Sequence, residues 1–168
     1  MNNNVLLYIG RFIVLVLVQV FILNHINFLG YLNPYIYIIF ILLAPININK
    51  SLFLFLSFIL GLTIDMFGDS GGVHAAASII IAYLRPVVLR SVFGLSYEFQ
   101  TVKLSKVGLG ERLAYVTLMV FLHHTILFSL EIFNFSHTLL IAKKTLFSSL
   151  FSIIVIMLVL VLFRRKDS

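Results

Sequence analysis

The chain has 168 residues, of which 61% are hydrophobic and 11% are charged, and its mean hydropathy is +1.13. Because a soluble domain carries roughly 25% charged residues, this composition excludes a water-soluble globular protein and indicates an integral membrane protein. The absence of cysteine excludes disulfides and thiolate metal sites. The net charge of +6 does not indicate nucleic-acid binding, because the positive residues lie dispersed at the ends of apolar segments.

Long apolar segments, separated by short polar breaks, follow one another along the whole chain. A helix needs roughly 20 apolar residues to cross a bilayer, and the period-2 alternation typical of strands is missing. We therefore predict an all-α integral membrane protein, a single transmembrane domain over residues 1–168 built as a bundle of about six helices. The predicted helices cover residues 5–23, 34–44, 51–66, 73–93, 111–133 and 139–163.

The first two predicted helices depend on signals at their ends. The first is predicted to be retained rather than cleaved as a signal peptide, because Met1–Asn4 has no basic residue and no small-residue cleavage site follows. The second begins at Pro34, which suits a first helical turn, and stops at Pro45. It is short for a full crossing, as is the third, so these two helices are expected to tilt little, to thin the bilayer locally or to have their ends shielded inside the bundle.

The break before the fourth helix reads Gly68-Asp69-Ser70-Gly71-Gly72, which matches the nucleophile signature of trypsin-like serine proteases. That chemistry needs a histidine base and a buried aspartate brought together by two β-barrels, and this chain has neither the length nor the strand pattern for them. The segment is instead predicted to be a tight turn, in which Ser70 or Asp69 caps the fourth helix and the glycines adopt positive φ. We expect no enzymatic activity.

Asp65 and His74 lie on either side of this turn, so their side chains are expected to meet near the membrane surface. A carboxylate is also favoured near the positive N-terminal end of a helix. The favoured interpretation is a capping and pairing interaction that locks the hairpin; a partner-binding surface and, last, a metal or catalytic role are the alternatives. Arg85 lies 11 residues beyond His74, about 16 Å along the axis, and is predicted at or snorkelling to the cytoplasmic interface.

His123 and His124 lie near the middle of the fifth predicted helix, 111–133, where ionisable groups face the bundle interior or a cavity. Adjacent helical residues point about 100° apart, so the two do not easily share one ligand. Neutral, buried histidines bonded to neighbours are the favoured interpretation, with a ligand pocket or a proton role as the alternative. Glu131 is expected close to the outer interface, with Lys143 or Lys144 as its partner.

The basic residues predict the orientation of the helices. Arg164, Arg165 and Lys166 place the C-terminus in the cytoplasm, and six crossings place the N-terminus there too. The segments assigned to that side hold most of the remaining basic residues, namely Lys50, Arg85, Arg90, Lys103, Lys106 and Arg112. Lys143 and Lys144 are the exceptions on the opposite side. The loop at 94–110 is expected to be a solvated connector, with a membrane-surface or partner-binding role as the alternative.

A motif of about 25 residues surrounds the turn between the third and fourth predicted helices. It reads Gly61-Leu62-Thr63-Ile64-Asp65, then Gly72-Val73-His74-Ala75, followed by an apolar run to Tyr83-Leu84-Arg85-Pro86. This motif resembles the MreD family of rod shape-determining proteins, in which an aspartate closes one helix and Gly-x-His-Ala opens the next. The length and hydropathy of the rest of the chain agree with that family.

The resemblance implies a non-enzymatic, cofactor-free subunit of the cell-elongation machinery in the bacterial inner membrane. The implied partners are an MreC-like protein, a penicillin-binding transpeptidase with its glycosyltransferase partner and, indirectly, the MreB cytoskeleton. A fold resembling the substrate-binding subunits of energy-coupling-factor transporters is implied as well, and Asp65, Gly72, His74 and Ala75 would be the motif positions.

A different class of function remains open. The alternative is a small-molecule-binding transmembrane subunit of a vitamin-type transporter, in which His123, His124 and Glu131 line a pocket. The bulky residues of the first helix, at 11–23, count against it, because such subunits usually carry small-residue stripes there for docking.

Overall fold

A computed structural model describes residues 3–28, 32–94 and 107–162, and most of these residues are helical. The α-helices are α1 (Asn3–Phe21), α2 (Ile39–Leu42), α3 (Lys50–Gly68), α4 (Val73–Phe93), α5 (Leu109–Ile132) and α6 (Thr138–Leu162). All except α2 are long and apolar enough to cross a membrane. Residues 95–106 and the basic residues 164–166 lie outside the described ranges, and most of the predicted 94–110 loop lies there with them.

From α3 onward each long helix is antiparallel to the next one in sequence, with α3 packed on α4, α4 on α5, and α5 on α6. We call one end of the bundle the hairpin end; it contains the α3–α4 turn at 69–72 and the α5–α6 connection at 133–137. The opposite end, which contains Lys50, Arg85 and Arg112, is called the basic end. The five long helices begin and end within two residues of their predicted bounds.

The second predicted helix, 34–44, is wrong over most of its length, because only Ile39–Leu42 is α-helical. The segment is buried inside the bundle, and Tyr37 and Leu42 are both fully inaccessible. Non-helical backbone is tolerated at membrane depth only where protein groups satisfy its hydrogen bonds. Gln19 does so for Ile36, whose N–H it accepts at 2.8 Å.

This buried segment still carries the chain from the hairpin end to the basic end. Its start is bonded to Gln19, near the end of α1, through the backbone of Ile36. Its end is bonded to Arg11, in the middle of α1, which donates to the carbonyl oxygen of Leu43 at 3.4 Å. The segment therefore runs antiparallel to α1, and this crossing allows α1 to begin at the end of the bundle where α6 finishes.

Gly61 is the point of closest approach between α3 and α4. A Cβ atom at Gly61 would lie 2.6 Å from the backbone nitrogen of Ala75 and would overlap the carbonyl oxygen of His74. Any side chain at this position would therefore push the two helices apart. Close packing at small residues is the usual basis of helix association in lipid, where burial of apolar surface offers little advantage.

Candidate functional site

Asp65 connects the last turns of α3 to the first turn of α4. Its carboxylate accepts hydrogen bonds from the backbone N–H groups of His74 at 3.0 Å and Ala75 at 2.8 Å. The hydroxyl of Ser70 donates to the same carboxylate at 2.6 Å. The first N–H groups of a helix have no partner within the helix and lie at its positive end, so a buried anion is stabilised there. Asp65 thus caps α4 across the turn.

The capping predicted for Ser70 or Asp69 is therefore wrong. Gly72 occupies the N-cap position of α4 and makes no side-chain capping bond, while Ser70 supports Asp65 instead. Asp69 ends α3 in the left-handed conformation, with φ of 49°. Gly71 and Gly72 have φ of 66° and 91°, as the predicted tight turn requires. Asp65 and His74 do meet, but through the backbone of His74 rather than through its ring.

Tyr37 lies at the centre of the polar core, although nothing in the sequence singled it out. Its hydroxyl oxygen is 2.9 Å from Nδ1 of His74 and 2.7 Å from Nε2 of His123. A buried tyrosine hydroxyl usually has a partner, but the sequence does not show which one, because these histidines are 37 and 86 residues away. A hydroxyl has a single hydrogen, so Tyr37 donates to one histidine and accepts from the other.

The direction of these two hydrogen bonds follows from the other edge of the His123 ring. Nδ1 of His123 is buried and has no partner among the residues that the structure describes. A buried N–H without a partner is rarer than an acceptor without one, so a neutral His123 carries its hydrogen on Nε2 and donates it to Tyr37. Tyr37 then donates to Nδ1 of His74, and His74 carries its own hydrogen on Nε2.

His124 belongs to a separate network. Its Nδ1 is 2.7 Å from the carbonyl oxygen of Val120, which only accepts, so the hydrogen is on Nδ1. Its Nε2 then accepts from the hydroxyl of Ser152 at 3.2 Å, and Ser152 in turn accepts the N–H of Tyr35 at 2.9 Å. Both histidines are thus buried and bonded to neighbours, as the favoured interpretation has it, and their ring nitrogens have different partners.

Glu131 is paired at the hairpin end rather than joined to the histidines. Nζ of Lys144 lies 2.8 Å from its carboxylate. Of the two partners considered from the sequence, Lys144 is the one that the structure places beside Glu131. The side chain of Glu131 is 42% exposed, so solvent screens the pair and its contribution to stability is small.

Arg85 is at the basic end, where it is buried inside the bundle and 4% exposed. Its Nε donates to the hydroxyl of Tyr115 at 3.0 Å, and its Nη2 donates to the carbonyl oxygen of Ala44. The carbonyl groups of Leu42 and Pro45 lie 3.5 Å from the guanidinium. These carbonyls belong to the last residue of α2 and to the residues after it, and carbonyls at a helix end have no partner within the helix. Arg85 therefore stabilises the end of the buried segment.

A cavity of about 900 Å³ lies at the hairpin end. It is formed by the end of α1, the α3–α4 turn and the end of α5. His74, Tyr35 and Glu131 all line it, whereas His123 and His124 do not. The structure thus separates the two histidines from Glu131, with which the sequence had grouped them in one pocket.

The five long apolar helices define a multi-pass helical membrane protein. Comparison of the chain with protein-family models, with curated proteins and with solved structures finds no match in any of the three.

Replacing Tyr37 with phenylalanine is expected to lower the free energy of unfolding by about 2 kcal/mol, because it leaves buried polar atoms of two histidines without a partner. Thermal unfolding of the purified protein in detergent measures this loss. Tyr83→Phe is the matched control, because Tyr83 is also on the bundle but is 59% exposed. Equal unfolding temperatures for both variants and the wild type would contradict the central role of Tyr37.

Proposed function

We propose that this protein is a non-enzymatic membrane subunit of the bacterial cell-elongation machinery, of the MreD type. It would hold together an MreC-like protein and the peptidoglycan synthases, namely a penicillin-binding transpeptidase and its glycosyltransferase partner. The MreB cytoskeleton would be reached indirectly. The proposal needs neither a cofactor nor a nucleic acid, and its setting is the lipid bilayer.

One observation carries the proposal: the residues of the MreD-like motif form a single bonded unit at the hairpin end. Asp65 caps the backbone at His74 and Ala75, Gly72 has φ of 91°, and Gly61 admits the backbone of α4. Gly61 and Gly72 require glycine, because a side chain would overlap α4 at the first and be strained at the second, and Asp65 supplies the acceptor oxygens of the cap. The motif is therefore a specific structural unit, which supports the resemblance more strongly than hydropathy does.

The proposed location is the bacterial inner membrane, with both termini in the cytoplasm. The basic end, with Lys50, Arg85 and Arg112, would face the cytoplasm according to the positive-inside rule. Five helices and the buried segment would then make six crossings, as in a fold like the substrate-binding subunits of energy-coupling-factor transporters. The hairpin end would face outward, where the extracytoplasmic parts of the partners lie.

Purification of the tagged full-length chain from native membranes in mild detergent tests this proposal, with co-purifying proteins identified by mass spectrometry. We expect an MreC-like protein and cell-wall synthases. His74→Asn is expected to weaken their recovery, because the amide can keep the bond to Tyr37 but removes the ring edge that lines the cavity. His137→Asn is the control, since His137 is exposed at the same end.

A second function is favoured by one observation, the cavity lined by His74 and Glu131. A small-molecule-binding subunit of a vitamin-type transporter would have such a cavity on its outer side. In that case the same purification would recover a pair of ATPases with a second transmembrane subunit, and no cell-wall proteins. That result would overturn the proposal in favour of transport.

A further inference from the structure

We propose that the cavity at the hairpin end binds an organic cation, recognised through its ammonium group. This goes beyond the proposed scaffold function, which requires no ligand. The cavity volume of about 900 Å³ lies within the range of roughly 300–1,000 Å³ that is usual for small-molecule sites. The residues that line the cavity indicate the chemical class of its ligand.

The ring of His74 gives the cavity a hydrogen-bond donor that has no acceptor among the described residues. His74 lines the cavity and is only 8% exposed. Its Nδ1 is held by Tyr37, and its Nε2, on the opposite ring edge, has no partner among the described residues. The bond directions derived above place a hydrogen on Nε2. A ligand that has a hydroxyl or carbonyl oxygen would accept it.

The charges of the lining favour a cation. The carboxylates of Asp69 and Glu131 line the cavity, and no lysine or arginine does so in the part of the chain that the structure describes. Lys144 is not part of the lining, but it pairs with Glu131 and offsets its charge, so the net negative charge of the lining comes from Asp69. Anionic ligands would be repelled by this arrangement, whereas cations would be concentrated by it.

Aromatic rings form much of the remaining wall. Phe21 and Phe67 contact each other with ring centroids 6.3 Å apart, and Tyr35 packs on His74 at 5.5 Å. All four line the cavity. Aromatic faces attract ammonium groups, and this attraction strengthens when water is excluded. Carboxylates, aromatic faces and one donor together fit an ammonium compound that also has an oxygen acceptor.

Calorimetric titration of the purified full-length protein, in nanodiscs of phosphatidylglycerol, tests the proposal. The probe is choline, and its uncharged isostere 3,3-dimethyl-1-butanol is the matched comparison, because the two differ only in the positive charge. We expect choline to bind and the isostere to bind at least roughly tenfold more weakly. Failure of choline to bind, or equal affinity for the two compounds, would overturn the proposal.

Variants locate the binding within the cavity. Asp69→Asn combined with Glu131→Gln is expected to weaken choline binding roughly tenfold, because both charges are lost while both shapes are kept. Asn is tolerated in the left-handed conformation of position 69. Glu111→Gln, at the basic end, is the control and is expected to leave the affinity unchanged. An unchanged affinity in the double variant would place the cation elsewhere and overturn the assignment.

The ammonium group can belong to a free solute or to a lipid headgroup, and a second titration distinguishes these two sources. The titration is repeated in nanodiscs that contain phosphatidylethanolamine. Weaker choline binding in these nanodiscs would show that the phosphatidylethanolamine headgroup competes for the site. Undiminished choline binding would show that the site takes a free cation. Both results are consistent with a cation site in the cavity. The partner capture described above is a separate measurement, so failure of either proposal is recognised without the other.

Discussion

Replacing Asp65 with alanine is expected to lower the free energy of unfolding by about 3 kcal/mol, one of the two largest effects of any single substitution considered. The carboxylate accepts three hydrogen bonds and is 5% exposed. Its removal leaves the N–H groups of His74 and Ala75 buried without a partner, and each such group costs about 1–3 kcal/mol. Thermal or denaturant unfolding in detergent measures the difference.

Two further variants test whether the loss of stability comes from the cap that Asp65 makes. Asp65→Asn keeps one acceptor oxygen and should lose about half as much stability. Asp69→Asn removes a carboxylate four residues away that is exposed and caps nothing, so it should unfold like the wild type. If Asp65→Ala were no less stable than Asp69→Asn, the hairpin would not depend on the cap.

Replacing Arg85 with methionine is expected to lower the free energy of unfolding by a similar amount, about 3 kcal/mol. Methionine fills the volume of the arginine stem but makes none of its hydrogen bonds. The carbonyl oxygen of Ala44 and the hydroxyl of Tyr115 would then lose a charged donor inside the bundle. The buried segment should loosen first, because the guanidinium bonds the carbonyl groups at its end and only Ile39–Leu42 is a regular α-helix.

Hydrogen exchange measured by mass spectrometry distinguishes this local effect from a global one. In Arg85→Met the amides of residues 36–44 should exchange faster than in the wild type, whereas those of α6 should change little. Arg85→Lys keeps the charge without the planar fork and should restore part of the protection. Arg90→Met, on the same helix but exposed, is the control. Unchanged exchange in residues 36–44 would contradict the role assigned to Arg85.

Three polar side chains have the same structural role in this fold, namely Arg11, Gln19 and Arg85. They satisfy backbone groups of a segment that is not a regular helix. In lipid, each such group left unpaired costs several kcal/mol. The segment can therefore cross the bundle interior because side chains from α1, α4, α5 and α6 bond the backbone groups that its short helix leaves unpaired.

The five long helices and the turn at 68–72 follow from local sequence. An apolar run of about 20 residues in lipid has one solution that satisfies its backbone without help from other segments, and that solution is the helix. Glycine pairs and Asp69 likewise stop α3 and reverse the chain through their own backbone preferences. The approach of Asp65 to the start of α4 was predictable for the same reason, since only a short turn separates them.

Tertiary packing determines the path of residues 34–44, the partners of Tyr37 and the shape of the cavity. The N–H of Tyr35 is bonded to Ser152, 117 residues away, and the hydroxyl of Tyr37 joins histidines of α4 and α5. Such bonds depend on which helices come together, and hydropathy contains no information about that. A helix is held by bonds between residues four apart, whereas this polar core is held by bonds between residues that only the folded bundle brings together.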